Sequence, residues 1–195
     1  MPSRPRQSLL AALAMLVALG LGDCGDSHTQ VTTGTYAGVS GANAPYLDVG
    51  PLIYEVQLSR ELNPYDTEDA NYLQGLSPAD SRLAPGQEWF GVFLQVFNNG
   101  PVARTAAESP TIVDTQGNVY KPVVPDQTNQ FAYRAGLVPA HGRLPVLDTV
   151  ASNGPTQGVL LLYRSRNVSL DNRPLKLRII DPLHAYQTAS AELDV

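Results

Sequence analysis

The stretch 88-EWFGVFLQVFNNG-100 decides the fold, because it is apolar on both faces of a strand. Successive side chains of a strand point to opposite faces of its sheet. One face carries Phe90, Val92, Leu94 and Val96, and the other carries Trp89, Phe93 and Phe97. An apolar run of this length that is bounded by turn residues indicates a strand covered on both sides, hence a central one. Asn99-Gly100 predicts the turn that follows.

Residues 52–59 form the nearest strand upstream, and there the apolar period is two. The set expected to face the core is Tyr54, Val56 and Leu58. The set expected to face solvent is Glu55, Gln57 and Ser59. This alternation predicts a strand with one buried and one solvated face.

Downstream, several further strands are separated by Gly, Pro, Asn and Asp. We expect a hairpin of 111–114 and 118–123 around Gln116-Gly117, and strands at 143–150, 158–164 and 175–181. No segment requires a helix of ten residues. The sequence therefore predicts an all-β chain, a single antiparallel β-sandwich of about seven strands.

One connection is unusually long. Residues 61–85 separate two strands, whereas the median connection in a compact domain is roughly 4–6 residues, so this loop should contain local structure or serve a function. Asp66 or Thr67 is expected to cap a short helix that runs through Leu73, with Gly75 ending it. The prediction is one long loop that carries a short helix.

The amino end has the features of an export signal. Arg4 and Arg6 precede an uncharged apolar run, 9–22, which is too short to span a hydrocarbon core that needs about 20 residues. We expect this segment to be removed rather than kept as a membrane helix.

The only cysteine, Cys24, lies two residues after the end of that run, with Asp23 between them. The sequence 21-LGDC-24 resembles a bacterial lipobox, in which the cysteine sulfur receives a diacylglycerol and the cysteine becomes the new amino terminus. Asp23 departs from the lipobox pattern, which has a small residue there. Small residues at 18, 20 and 22 also fit ordinary secretion, so a soluble secreted form is the alternative.

These observations divide the chain into four parts. Residues 1–23 are a signal peptide of the lipoprotein type, 24–45 a flexible tether, 46–182 the sandwich domain and 183–195 a C-terminal tail. We expect an exported protein that is held by lipid on Cys24 at the outer side of the bacterial cytoplasmic membrane or at the cell surface.

Four stretches carry a resemblance to a known family. They are 89-WFGVFLQVFNN-99, 111-TIVDTQGNVYKPV-123, 158-GVLLLYR-164 and 172-NRPLKLRIIDP-182. Together they resemble the exported bacterial domains of the immunoprotective extracellular antigen family. The resemblance implies an immunoglobulin-like sandwich, and it brings no assigned activity.

Composition excludes several kinds of site. The net charge of −5 provides no basic surface for nucleic acid. A single cysteine allows no internal disulfide and no thiolate zinc site. The three histidines, His28, His141 and His184, are far apart in sequence, and no serine lies in a nucleophile motif. We therefore expect no cofactor and no catalysis, with a hydrolase as a minor alternative.

The candidate contact residues all lie in the long loop. They are Tyr65, Asp66, Glu68, Asp69 and Tyr72. Scaffolded loops often carry recognition, so we expect 63–73 to bind a protein or another cell-envelope component. Two alternatives are that the tyrosines only pack the loop on the sheet, and that Asp66, Glu68, Asp69 and Asn71 hold Ca²⁺ or a small molecule. The spacing and glycine of an EF-hand are missing, which favours a solvated helix start over a Ca²⁺ site.

Overall fold

A computed structural model describes residues 46–166 and 172–193 of the 195-residue chain. The predicted signal peptide, the lipidation site Cys24 and the tether lie outside the described residues.

Strands dominate the described part of the chain. The longer ones are β1 (Tyr46–Val49), β2 (Leu52–Leu62), β3 (Gln87–Phe97), β5 (Thr111–Val113), β10 (Val159–Arg166), β11 (Leu175–Ile180) and β12 (Thr188–Leu193). The two-residue strands are β4 (Arg104–Thr105), β6 (Val119–Tyr120), β7 (Pro122–Val123), β8 (Leu137–Val138) and β9 (Arg143–Leu144). The two short helices are α1 (Thr67–Tyr72) and α2 (Val150–Asn153).

The strands form two main sheets. The first has the order β1-β2-β3-β10-β7, with β9 also paired to β3, and the second has the order β12-β11-β5-β6. A small third sheet joins β4 to β8, and the strand ladders are antiparallel. The predicted all-β antiparallel sandwich is confirmed, and the expected number of strands matches the longer ones.

Strand β3 is central, as its two apolar faces predict. It lies between β2 and β10 in the first sheet. Its inner face, Phe90, Val92, Leu94 and Val96, belongs to the core shared with the second sheet. Its outer residues Trp89 and Phe93 belong to a second buried cluster on the opposite side of the first sheet.

Buried tyrosines fix the crossover 106–110 against the core. The hydroxyl of Tyr54 accepts a hydrogen bond from the Ala107 N–H at 2.7 Å, and the hydroxyl of Tyr133 donates to the Ala107 carbonyl at 2.6 Å. Tyr163 donates to the Pro110 carbonyl at 2.9 Å. Burial raises the pKa of Tyr54 to about 12, so its hydroxyl stays protonated at neutral pH.

Tyr54→Phe is expected to lower the free energy of unfolding by about 1–3 kcal/mol, because the buried Ala107 N–H loses its acceptor. Denaturant unfolding measures the change. The matched control is Tyr65→Phe, since that side chain is 95% exposed and should leave stability unchanged. Equal effects of the two substitutions would contradict the structural role of the Tyr54 hydroxyl.

Three boundaries differ from the sequence prediction. The expected tail 183–195 contains β12, which pairs with β11, so the sandwich extends to Leu193 and the boundary at 182 is wrong. The expected strand 143–150 is reduced to β9, and Val150 already begins α2. The second arm of the hairpin divides, because β6 pairs with β5 whereas β7 pairs with β10 in the other sheet.

The prediction that Glu55 and Gln57 face solvent is also wrong. They are only 6% and 8% exposed. Period-two alternation separates the two faces of a strand, but it does not show whether the second face is left open. The outer face of the first sheet is itself partly buried, and around Leu62 and Phe93 it is covered by the segment that contains α1.

Candidate binding groove

A β-bulge in β2 positions the groove. The register between β2 and β3 shifts between Val56 and Leu58, which leaves Gln57 as the extra residue. Before the shift, Val56 lies opposite the inner residue Leu94. After it, Leu58 lies opposite the outer residue Phe93, so the bulge moves the following residues of β2 to the other face.

Arg60 reaches the outer face as a result. Directly opposed residues of an antiparallel pair share a face. Arg60 lies opposite Gly91, between the outward pairs Leu58–Phe93 and Leu62–Trp89. A side chain at Gly91 would crowd this face, because an added Cβ would lie 3.1 Å from a methyl group of Leu62. The bulge therefore places a guanidinium under the long loop.

The long loop is fixed by an aromatic cluster on the same face. Its buried members are Leu62, Tyr72, Trp89, Phe93, Leu160 and Leu162. The ring of Tyr72 makes edge contacts with Phe93 at 5.0 Å and with Phe131 at 4.8 Å between centroids. Helix α1 therefore packs on the sheet through Tyr72.

The predicted helix is confirmed together with its cap. Asp66 is the N-cap, and its Oδ1 accepts hydrogen bonds from the N–H groups of Glu68 at 2.9 Å and Asp69 at 3.2 Å. The acidic residues in the first turn also favour the positive end of the helix dipole. Gly75 follows the helix with a φ of +75°, a conformation that other residues rarely adopt.

A buried ion pair joins this helix to β2. Arg60 donates to both carboxylate oxygens of Asp69, with Nη1 at 2.9 Å from Oδ2, and the Asn63 N–H donates to Oδ2 at 2.8 Å. Asp69 is only 4% exposed. Burial alone would raise the pKa of Asp69, but the bonds from Arg60 and Asn63 outweigh it and hold the pKa below its usual value.

Acid is expected to destabilise this loop through Asp69. Because the pKa is lower in the folded state, the stabilisation is complete above the unfolded pKa of about 3.9 and is lost as the pH falls through the folded value. Hydrogen exchange of 63–73 at pH 6 and pH 3 measures the loss. Asp69→Asn should reduce this pH dependence, and an unchanged dependence would contradict the assignment to Asp69.

The β2–β3 connection forms an open groove of about 830 Å³ beside this ion pair. We call it the β2–β3 groove. Its lining residues are Arg60, Glu61, Leu62, Asn63, Pro64, Tyr65, Asp66, Asp69, Leu83, Gln87, Glu88 and Trp89. Tyr65 is 95% exposed, and its backbone N–H donates to the Asn63 side chain at 3.0 Å. The groove therefore combines apolar side chains, such as Leu62 and Trp89, with several carboxylates and the exposed ring of Tyr65.

The five predicted contact residues do not share one environment. Tyr65, Asp66 and Glu68 are exposed, and the first two line the groove. Asp69 and Tyr72 are buried with partners inside the protein, so they position the loop and present no surface to a partner. Binding by the exposed three stays a prediction.

Sequence reasoning missed Arg60, Leu83 and Trp89 as parts of the groove. Arg60 precedes its partner Asp69 by nine residues, a spacing that no regular helix or strand brings together. From sequence alone, Leu83 belongs to the long loop and Trp89 to the central strand, and neither residue is expected to line a groove. No local signal could have found the Arg60–Asp69 pair, because it depends on the bulge at Gln57.

The Ca²⁺ alternative gains no support from the geometry. Among residues 46–166 and 172–193, no group of three or more His, Cys, Asp or Glu side chains is arranged to hold a metal ion. Asp66 caps α1, and Asp69 is bound by Arg60. Within the same ranges, neither helix has the length and apolar character that a membrane span requires.

The comparison with known proteins shows a similarity in fold and identifies no family. No protein-family model and no curated protein matches the chain, so the resemblance to the antigen family stays a prediction. The solved structure of YjhA from Bacillus subtilis is similar over 77% of this chain and 97% of its own, with 10% identity and a TM-score of 0.50.

Two further solved structures have TM-scores below 0.5. One is YcdA from Bacillus subtilis, described as a candidate lipoprotein, with 10% identity and a TM-score of 0.49. The match covers 77% of this chain, which spans only 38% of YcdA. The other is an uncharacterised β-sandwich protein from Clostridium difficile, with 8% identity over 84% of this chain and 99% of its own, and a TM-score of 0.43. At such identities the likeness concerns the fold alone.

Proposed function

We propose that this chain is an exported, lipid-anchored and non-catalytic β-sandwich that binds a protein or another cell-envelope component in the β2–β3 groove. The observation that carries the proposal is Tyr65. Its ring is 95% exposed at the rim of the groove, on a loop that buried contacts hold in place. Exposed aromatic side chains next to polar groups are typical of partner surfaces.

The loop that lines the groove is ordered before a partner binds, because contacts hold it at the start and at the end of α1. The Arg60–Asp69 pair holds the start of α1. The amide of Asn129, itself 4% exposed, donates to the carbonyls of Tyr72 at 2.9 Å and Gln74 at 2.8 Å beyond the end of α1. A loop that is already ordered loses little conformational entropy when a partner binds.

The anchor is supported by the sequence at the amino end. The single cysteine, Cys24, lies two residues after the apolar run 9–22, within a stretch that resembles a lipobox. Each buried CH₂ group contributes about 0.8 kcal/mol, so two or three acyl chains hold a protein firmly on a bilayer.

A partner surface fits the groove better than a small-molecule pocket does. Sites for small molecules usually enclose most of the ligand surface. The β2–β3 groove is open, and its most exposed group, Tyr65, extends away from the sheet. Such a groove suits one segment of a larger partner.

Photocrosslinking in intact cells tests the binding site. A benzophenone amino acid at position 65 is expected to capture an envelope component, whereas the same probe at Val119 should not. Val119 is a matched control because it is 57% exposed but lies in the second sheet. The capture should weaken when Asp66 and Glu68 are replaced by Asn and Gln. Equal capture at both positions, or none at position 65, would remove the groove from the proposal.

A further inference from the structure

The turn between β11 and β12 exposes two large apolar side chains, and the ring of Tyr186 makes an edge contact with His184 of the same turn, with 5.6 Å between centroids. We call residues 182–186 the tip. All five are exposed, and Leu183 and Tyr186 are each 70% exposed. The sequence Pro-Leu-His-Ala-Tyr carries no acidic residue, lysine or arginine. Other large apolar residues of the described chain are also exposed, but here two of the most exposed lie three residues apart in one uncharged turn.

The tip is a fixed turn. Asp181, which is 5% exposed, accepts hydrogen bonds from the N–H groups of Leu183 and His184, both at 2.7 Å. The Gln187 N–H donates to the His184 carbonyl at 2.8 Å, and the Asp181 N–H donates to the Gln187 carbonyl at 2.9 Å. These four hydrogen bonds fix the backbone of the turn, on which the side chains of Leu183 and Tyr186 are exposed.

This chemistry fits the interface of a lipid bilayer. Leucine gains free energy when it leaves water, and tyrosine suits a boundary where its ring is buried and its hydroxyl stays wet. Ile180 and Arg178 point to the open face of β11 just before the tip, and Ile180 is 39% exposed. An arginine beside an apolar turn can bind lipid phosphate while the turn enters the apolar layer.

The path of the chain brings the predicted anchor near the tip. Strand β1 begins at Tyr46 and ends beside Gly50, where an added Cβ would collide with the carboxylate of Asp181 at the base of the tip. Four strand residues span about 13 Å. A chain of 22 residues, the length of segment 24–45, reaches at most about 73 Å. A lipid on Cys24 thus leaves the tip within reach of the bilayer.

The groove lies at the other end of β2. The strand runs from Leu52, next to the Gly50 turn, to Leu62 at the groove. Ten residue steps of a strand span about 33 Å. When the tip touches the bilayer, the β2–β3 groove faces away from it.

We propose that the tip is a membrane-contacting turn, and that it orients the lipid-anchored domain with its groove directed outward. The occupant of the tip is the lipid bilayer itself. The inference rests on the anchor of the proposed function. The anchor keeps the domain near the membrane, and Leu183 and Tyr186 then determine which end touches it.

Quenching by brominated phosphatidylcholine tests the tip. The mature lipidated protein is incorporated into vesicles as Tyr186→Trp, Tyr65→Trp or Leu147→Trp. The native Trp89 is 2% exposed and gives a constant background. Loss of fluorescence and a shift to shorter wavelength are expected for Tyr186→Trp only. Tyr65 represents the groove end, and Leu147, 61% exposed between β9 and β10, represents another apolar segment.

Leu183→Ser in the Tyr186→Trp protein is expected to lower the equilibrium constant for membrane contact by roughly tenfold or more, because the apolar leucine side chain no longer leaves water. Quenching at position 65 or 147 instead of 186, or no quenching at 186, would overturn the orientation.

The proposed lipid anchor and the proposed membrane contact of the tip can be rejected independently. If the native protein carries no lipid, its mass shows this directly and the proposed anchor is wrong. The chain from Cys24 onward, coupled through its single thiol to a maleimide lipid, then tests the tip alone. Quenching at position 186 in that protein supports the tip, and its absence overturns it.

Discussion

Phe93→Ala is expected to lower the free energy of unfolding by about 3–5 kcal/mol, the largest effect that we predict for a single substitution. The Phe93 side chain is fully buried on the outer face of β3, and its ring contacts that of Tyr72 at 5.0 Å. The substitution removes the surface on which α1 packs. Denaturant unfolding measures the loss, and hydrogen exchange should place the first increase in opening at 63–76.

Phe97→Ala is the matched control, because Phe97 lies on the same face of the same strand but is partly exposed. Phe97→Ala should lower the free energy of unfolding clearly less than Phe93→Ala does. If Phe93→Ala prevents folding, Phe93→Leu should cost less than about 1.5 kcal/mol and still loosen 63–76. The account would be contradicted if both alanine substitutions lowered the free energy of unfolding equally and hydrogen exchange of 63–76 did not increase. The outer cluster would then not be what supports the loop.

Arg60→Met is expected to lower the free energy of unfolding by about 2–4 kcal/mol, because it leaves the buried carboxylate of Asp69 without its partner. The value lies below that of a fully buried pair, since the Arg60 side chain is 32% exposed and retains some water. The same change should reduce capture by a crosslinker at position 65. Its effects on stability and on binding therefore have one cause, the release of the loop.

The double variant Arg60→Met/Asp69→Leu should recover most of the lost stability, because no charge is then left buried. The exposed pair Arg164–Asp80, at 3.3 Å, provides the control: Arg164→Met should cost less than about 1 kcal/mol. A coupling energy between Arg60 and Asp69 no larger than that of this surface pair would contradict the claim that the ion pair fixes the groove.

The parts of the fold that sequence predicted correctly depend on local chemistry. Strand β3 is apolar on both faces, and only a central position buries both. Helix α1 is capped by Asp66, one of the two expected caps, because a carboxylate there satisfies N–H groups that no residue of the helix can satisfy. Neither result requires knowledge of distant residues.

The bulge at Gln57 could not be predicted from periodicity. Before it the inward residues are Tyr54 and Val56, and after it Leu58 faces outward, although the apolar period of two continues without a break. The change of face follows from the register with β3, which is a tertiary property. Because Arg60 owes its position to this shift, the sequence identified the loop but not what holds it.

The strand at the carboxyl end was missed because two of its three buried residues, Ala189 and Ala191, are small, and only Leu193 is large. In β12, Ala189 and Ala191 are buried and alternate with Ser and Glu. Two alanines bury little apolar surface, so the pattern resembles a polar tail. The opposite error occurred at Val146 and Leu147, which are apolar but exposed and form no strand.

The mass of the mature polypeptide isolated from its native cells tests the central claim most directly, because groove and tip both presume a domain held at a membrane. The account predicts a chain that begins at Cys24, carries acyl groups and fractionates with membranes, and a Cys24→Ser variant that does not. A chain that retains Met1 and resides in the cytoplasm would contradict the account.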